Sequence, residues 1–234
     1  MKKAIFSWSG GKDSAMALHT LRQEGAYEIP ALLTVITRDY GRISMHGIRE
    51  ELLDMQAESI GIPLEKIYIT KSSTNDEYER NMAGALERHK SLGVETVGFG
   101  DIFLEDLKRY REERLAEAGM RGIFPIWKRD SRELANAFID LGFKAVITCV
   151  DSKALDGKFA GRFYDKKLLS ELPGTVDPCG ENGEFHSFVY DGPIFKRGVN
   201  FNKGDTVLRD SRYYFTDLIT NTTLISLVSS KGGT

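Results

Sequence analysis

Residues 5–21 read IFSWSGGKDSAMALHTL. Ile5 and Phe6 belong to a short apolar run, and Ala15, Leu18 and Leu21 then recur at helical spacing. Between them, Ser9-Gly10-Gly11-Lys12-Asp13-Ser14 occupies the joint from a buried strand into a helix. Two glycines there cost backbone entropy, and the lysine beside them is not core material. Such a joint holds something. Ser9, Gly10 and Gly11 make a tight turn with exposed N–H groups, and Ser14 opens a helix whose free N–H groups favour anions. Lys12 adds a mobile positive charge. Asp13 would repel a bare phosphate, but it suits Mg²⁺ that in turn binds phosphates. The Walker pattern fails because Asp13 follows Gly11-Lys12, and the dinucleotide pattern fails because Phe103 stands where Gly98-x-Gly100 needs a third glycine. The loop reads as a metal-assisted polyphosphate site. The plain alternative is a Gly-rich turn whose Ser or Asp caps the helix.

Working outward, strand and helix patterns alternate. Lys3–Trp8, Ala31–Thr37, Glu65–Thr70, Val94–Asp101 and Ile123–Trp127 read as strands. Helical patterns follow the first four, the second with Ile48, Leu52, Met55 and Ile60 on one face. This predicts an α/β fold, a doubly wound five-stranded parallel sheet with ligands beyond the strands' carboxyl ends. After Trp127 the pattern changes. One helix (SRELANAFIDLG) and the run KAVITCV precede a long irregular stretch, and two β-rich runs follow, Val207–Leu218 and Asn221–Val228. Residues 1–127 are therefore expected to form a nucleotide-binding domain, and 128–234 a smaller α+β substrate-binding domain. The final SSKGGT reads as a loose tail.

The 234 residues carry a formal net charge of -2, and neither half is basic, which argues against a nucleic-acid partner. Cys149 and Cys179 lack metal-type spacing and suit a reducing cytoplasm. No segment approaches the roughly 20 apolar residues of a membrane span, and none reads as a signal peptide.

The stretch SGGKDS resembles the pyrophosphate loop of the ATP pyrophosphatases, in the adenine nucleotide alpha-hydrolase-like superfamily. RISMHGIREELLDMQAESIGIPL (42–64), GFGDIFLEDLKRYREE (98–113), PIW (125–127) and DPCGENGEFHSFVYDGPIF (177–195) narrow the resemblance to the diphthine–ammonia ligase family and its bacterial relatives. It implies an ATP-dependent ligase that adenylates a carboxylate and amidates it with ammonia, releasing AMP and pyrophosphate. ATP and Mg²⁺ would be needed, with ammonia and an acid, carried by a protein in that family, as partners and a homodimer left open. By resemblance, Ser7, Ser9, Gly10, Gly11, Lys12, Asp13, Ser14, His46, Gly100 and Asp101 bind ATP. Lys12 and Asp13 are catalytic, Asp13 and Asp101 hold metal, and Glu181, Glu184 and His186 bind the acceptor.

The family motif Gly-Glu-Gly-Gly-Glu-aromatic-Glu-Thr differs here, with Asn182 for a glycine and His186 for an acid. Diphthine carries a cationic trimethylammonium group, which acids suit better than histidine. Each residue also has a plainer reading. Asp101 can cap the next helix, His46 can be a surface residue, and Glu181, Glu184 and His186 can stabilise a turn. Cys149 reads as core and Cys179 as exposed in its loop. Two rival functions remain open at this point, thiolation of a tRNA base and a nucleotide sensor without turnover.

Overall fold

A computed structural model describes residues 1–43 and 46–220. The strand pattern Asn221–Val228 and the final SSKGGT lie outside the described residues. In chain order the elements are β1 (Lys2–Ser7), α1 (Lys12–Glu24), β2 (Tyr27–Glu28), β3 (Leu32–Thr37), β4 (Arg42–Ile43), α2 (Glu50–Ile60), β5 (Leu64–Ile69), α3 (Asn75–Ser91), β6 (Thr96–Gly98), α4 (Glu105–Glu117) and β7 (Arg121–Ile123). They continue with α5 (Ser131–Asp140), β8 (Lys144–Asp151), a 3₁₀ turn (Gly157–Phe159), α6 (Lys166–Glu171), β9 (Phe185–Asp191), β10 (Asn202–Arg209) and β11 (Tyr213–Ile219).

Five strands are parallel, in the order β5–β3–β1–β6–β7. β2 extends β1 at its start, and β4 adds antiparallel to the end of β3. The alternation of a two-sided buried strand explains the layers. Phe6, Leu32 and Ile36 join the helices α1 and α2 in one core. Ile5, Leu33 and Val97 join Ala85 and Leu86 of α3 and Leu115 of α4 in another. The chain runs from β1 to one side of the sheet and returns to β6 on the other. The loops after β1 and β6 therefore flank the point where strand order reverses, where α/β sheets bind ligands.

A second, antiparallel sheet runs β10–β11–β8–β9. Its buried Ala145, Val146, Phe185 and Phe188 belong to the same core as α1 and α2. One side chain joins the two sheets. Gln56 of α2 is fully buried; its Oε1 accepts from Trp8 Nε1 at 2.9 Å, and its Nε2 donates to the carbonyls of Gly10 and Val189. An indole donates only, so this amide has one workable orientation. The Val189 N–H completes the link by donating to Gly10 O at 2.9 Å.

Three departures from the sequence expectation have local causes. The fifth parallel strand is Arg121–Ile123, and residues 124–127 turn instead, since Pro125 has no N–H to extend a ladder. Val207–Leu218 is split by Asp210 and Ser211, both at positive φ (50° and 51°), into the hairpin β10–β11. The irregular stretch hides β9, because glycines and prolines precede the alternation FHSFVYD.

Replacing Gln56 by leucine removes the partner of Trp8 Nε1 and one donor to each of the Gly10 and Val189 carbonyls, of which Gly10 O keeps the Val189 N–H, while keeping an apolar helix face. Each orphaned buried group costs about 1–3 kcal/mol. Urea unfolding should show a loss of at least ~2 kcal/mol. In contrast, Gly84→Ala in α3 meets nothing closer than 3.8 Å and should stabilise by about 0.5–1 kcal/mol.

Candidate active site

Ser7 ends β1, and the chain turns at Gly10 with φ +75°. A Cβ there would meet Leu53 and Gln56 within 3 Å, so only glycine fits. Ser9 Oγ accepts from Gly11 N at 3.2 Å and lies 3.1 Å from Ser14 Oγ, which donates to Gly11 O. Helix α1 opens at Lys12, and no side chain caps it at Gly11. By comparison, α3 carries a full Thr74–Glu77 capping box. The first turn of α1 thus keeps its positive end for an anion. The reading of Ser14 or Asp13 as a mere helix cap does not hold.

Lys12 corrects one expectation, because its charge is not mobile. The residue is 4% exposed. Its Nζ meets Asp13 Oδ2 at 2.8 Å and donates to the carbonyl of Cys179. The rings of Phe185 and Tyr164 flank it, with centroids at 5.2 and 5.9 Å. Burial works against the ammonium, but the Asp13 carboxylate more than offsets this and holds its pKa above the ordinary value. The backbone N–H of Lys12 donates to Ser187 Oγ, so β9 also grips the loop.

The loop after β6 packs directly on this one. A Cβ on Gly100 would lie 2.8 Å from the backbone of Asp13 and Ser14. Asp101 follows, 7% exposed, with Arg111 Nη2 donating to Oδ1 at 3.2 Å and Arg111 Nε 2.9 Å from Oδ2. Both carboxylate oxygens are therefore turned to Arg111. Glu181, on the segment 177–184, reaches the same loop, and its Oε1 accepts from the N–H groups of Ile102 and Phe103. Burial pushes the Glu181 carboxyl up to about 7 despite those donors. Cys179 and Glu181 thus strap both switch-point loops together, one through Lys12 and the other through Ile102. Two surface pockets lie away from these loops, one by Phe124 and Trp127 and the other by Arg132 and Lys166.

The three candidate acceptor residues do not share one role. Glu184 is buried, and its Oε1 accepts from Asp177 N and Asn182 Nδ2 within its own turn. His186 instead packs against His46, with ring centroids 4.5 Å apart and the planes tilted by 39°. His46 lies against Gly11, whose added Cβ would be 3.1 Å from His46 Cε1. Burial, opposed by the Ser187 carbonyl and aided by Lys12, lowers His46 to about 4, and burial also drives His186 well down. Cys149 is buried as expected, its thiol pushed up to about 12 by burial. Cys179 is not exposed in its loop. It is 2% exposed, and burial raises its thiol as well.

Gln56, Ser187, Tyr164, Phe185 and Arg111 escaped the sequence reading. Gln56 alone left a signal there, a polar residue on the apolar face marked by Leu52 and Ile60. Among the described residues no three His, Cys, Asp or Glu side chains gather as a metal cage. Asp13, its side chain 26% exposed and joined to Lys12 through Oδ2, suits a metal that completes its shell with phosphates and water, as Mg²⁺ does. Asp101 would first have to leave Arg111.

Two family models match the chain in sequence order. The diphthamide synthase N-terminal domain covers residues 1–122, and the diphthamide synthase C-terminal domain covers 130–218. A diphthine–ammonia ligase of Schizosaccharomyces pombe is 27% identical over 226 residues, 87% of this chain but 36% of that protein, so the chain spans about a third of that relative's length. The diphthine–ammonia ligase of Danio rerio is 27% identical over 86% of each chain. The human one is 27% identical over 87% of this chain and 84% of its own. A U34-tRNA thiolase of Methanococcus maripaludis is 15% identical, covering 60% of this chain and 58% of its own. Its TM-score of 0.40 is too low to carry an argument.

The buried histidines and Glu181 act oppositely on stability. A histidine of depressed pKa binds fewer protons folded than unfolded. It therefore makes stability rise with pH between about 4 and 6.5, by up to about 1.4 kcal/mol per unit. Glu181, raised from 4.5 to about 7, makes stability fall over that interval. Replacing both His46 and His186 by glutamine should therefore remove the rising component. In urea unfolding from pH 4.5 to 6.5, the wild type should gain on this double variant as pH rises.

Proposed function

The chain belongs to the diphthamide synthase family, and on that footing we propose that it is an ATP-dependent ligase. It activates a carboxylate as an acyl adenylate, forms an amide with ammonia, and releases AMP and pyrophosphate. The observation that carries this reading is the start of α1, which no side chain of its own loop caps, with buried Lys12 paired to half-buried Asp13 beside it, at the point where strand order reverses. That arrangement suits a polyphosphate with a metal rather than a sulfate-sized anion alone.

Each residue then has a task its position supports. Ser7, Ser9, Gly10, Gly11 and Ser14 shape the cradle, and the positive end of α1 faces the β- and γ-phosphates. Gly100 lets the second loop close on the cradle, and His46 and Asp101 stand at its rim. Lys12 neutralises charge on the departing pyrophosphate. Mg²⁺, when bound, neutralises phosphate charge and orients the polyphosphate. Asp13 would hold it, with Asp101 available once Arg111 moves away. Glu181 and Glu184 keep the segment 177–184 over the cradle, which excludes water from a hydrolysable intermediate. Diphthine is the acid named for the relatives and is the first to test. Two buried, unreactive cysteines speak against sulfur transfer to tRNA. Reduced thiols also suit a cytoplasmic protein.

The test supplies Mg-ATP, elongation factor two bearing diphthine, and ammonium chloride. AMP and pyrophosphate should appear in step with amide. Lys12→Met keeps the packing between Tyr164 and Phe185 but removes the charge, and Asp13→Asn removes the metal ligand. Each should lower AMP release by at least about 10²-fold. Release of ADP would overturn the reading, as would tight ATP binding without turnover, which would make the chain a sensor.

A further inference from the structure

Two buried acceptors next to the cradle have no partner. His46 Nδ1 and His186 Nε2 are each shielded from solvent, and neither makes a hydrogen bond. Buried polar atoms are nearly always satisfied, so a pair left bare in one spot points to an absent ligand. Their rings are in contact with each other, and His46 also touches Gly11 of the phosphate loop. Both residues keep part of their surface exposed, so a small molecule can reach them.

The chemistry of the spot selects the ligand. Both rings are uncharged at neutral pH, so each can offer a nitrogen lone pair to a donor. Lys12, whose charge acts on both rings, repels a cation. A neutral molecule with several N–H donors satisfies both demands. We propose that His46 and His186 form the seat of ammonia in its uncharged form, beside the phosphate loop. Two N–H groups then go to the two ring nitrogens, and the lone pair stays free to attack. Ammonium has no lone pair and is disfavoured by Lys12. This rests on the ligase reading for the choice of nucleophile, but not for its test. It also gives a purpose to His186, where the resembling motif has an acid. An acid there would bind the cation instead.

The experiment uses the full chain with ¹⁵N-labelled histidine rings. The chain has four histidines, so His19 and His89, which touch Phe143 and Glu65, serve as internal controls. Titration with ammonium chloride should shift His46 Nδ1 and His186 Nε2 saturably and leave the other two rings in place. Tetramethylammonium chloride, which has no N–H, should shift neither. Below the pKa of ammonium, the apparent affinity for total ammonium should tighten tenfold per pH unit, because only free ammonia binds. His186→Leu should weaken the response at His46 at least tenfold. No shift with ammonium, an equal shift with tetramethylammonium, or an affinity independent of pH would overturn the proposal. A shift of both nitrogens with ATP alone would assign the pair to the nucleotide and overturn it too. Failure of AMP release in the assay above would count against the ligase reading and leave these shifts unaffected.

Discussion

A full positive charge sits inside this protein, and much of the architecture follows from it. An unpaired buried ammonium costs several kcal/mol, so Lys12 needs a carboxylate, a carbonyl and polarisable rings around it. Asp13 comes from the same loop. The carbonyl of Cys179 and the rings of Tyr164 and Phe185 come from more than 150 residues away. Satisfying one side chain therefore ties the second sheet and the segment 177–184 to the end of β1. The lysine at the helix start is therefore desolvated and held in one place.

The second tie is Gln56, which serves three groups with one amide. It links Trp8 after β1, the turn at Gly10 and Val189 in β9. Glu181 makes the third tie, to the loop after β6. The three together hold the loop after β1, the loop after β6 and the segment 177–184 at fixed distances. Such fixity is what joining an activated acid to a nucleophile requires.

Much of this was legible in the chain. The alternation of strand and helix up to Ile123 reports a buried parallel sheet, because such strands are apolar on both sides and need helices on both faces. SGGKDS was legible as a tight turn from a strand into a helix, and the chain does turn at Gly10 and start α1 at Lys12. The strap was less so. GENGEFHS marks itself as unusual, but nothing in it says that Glu181 faces Ile102, Glu184 its own turn and His186 the ring of His46. Those three directions depend on a bulge and a turn that long-range packing selects.

By itself the sequence determined the local chemistry, namely which residues stand at the strand ends and where the helix begins. These follow from short-range periodicity and backbone preference. Only the tertiary structure decided that Lys12 and Cys179 are buried, and that two distant histidines meet with lone pairs unspent. Burial, pKa and pairing across 140 residues depend on the solvent each group loses when the two sheets close together, and no local pattern carries that information.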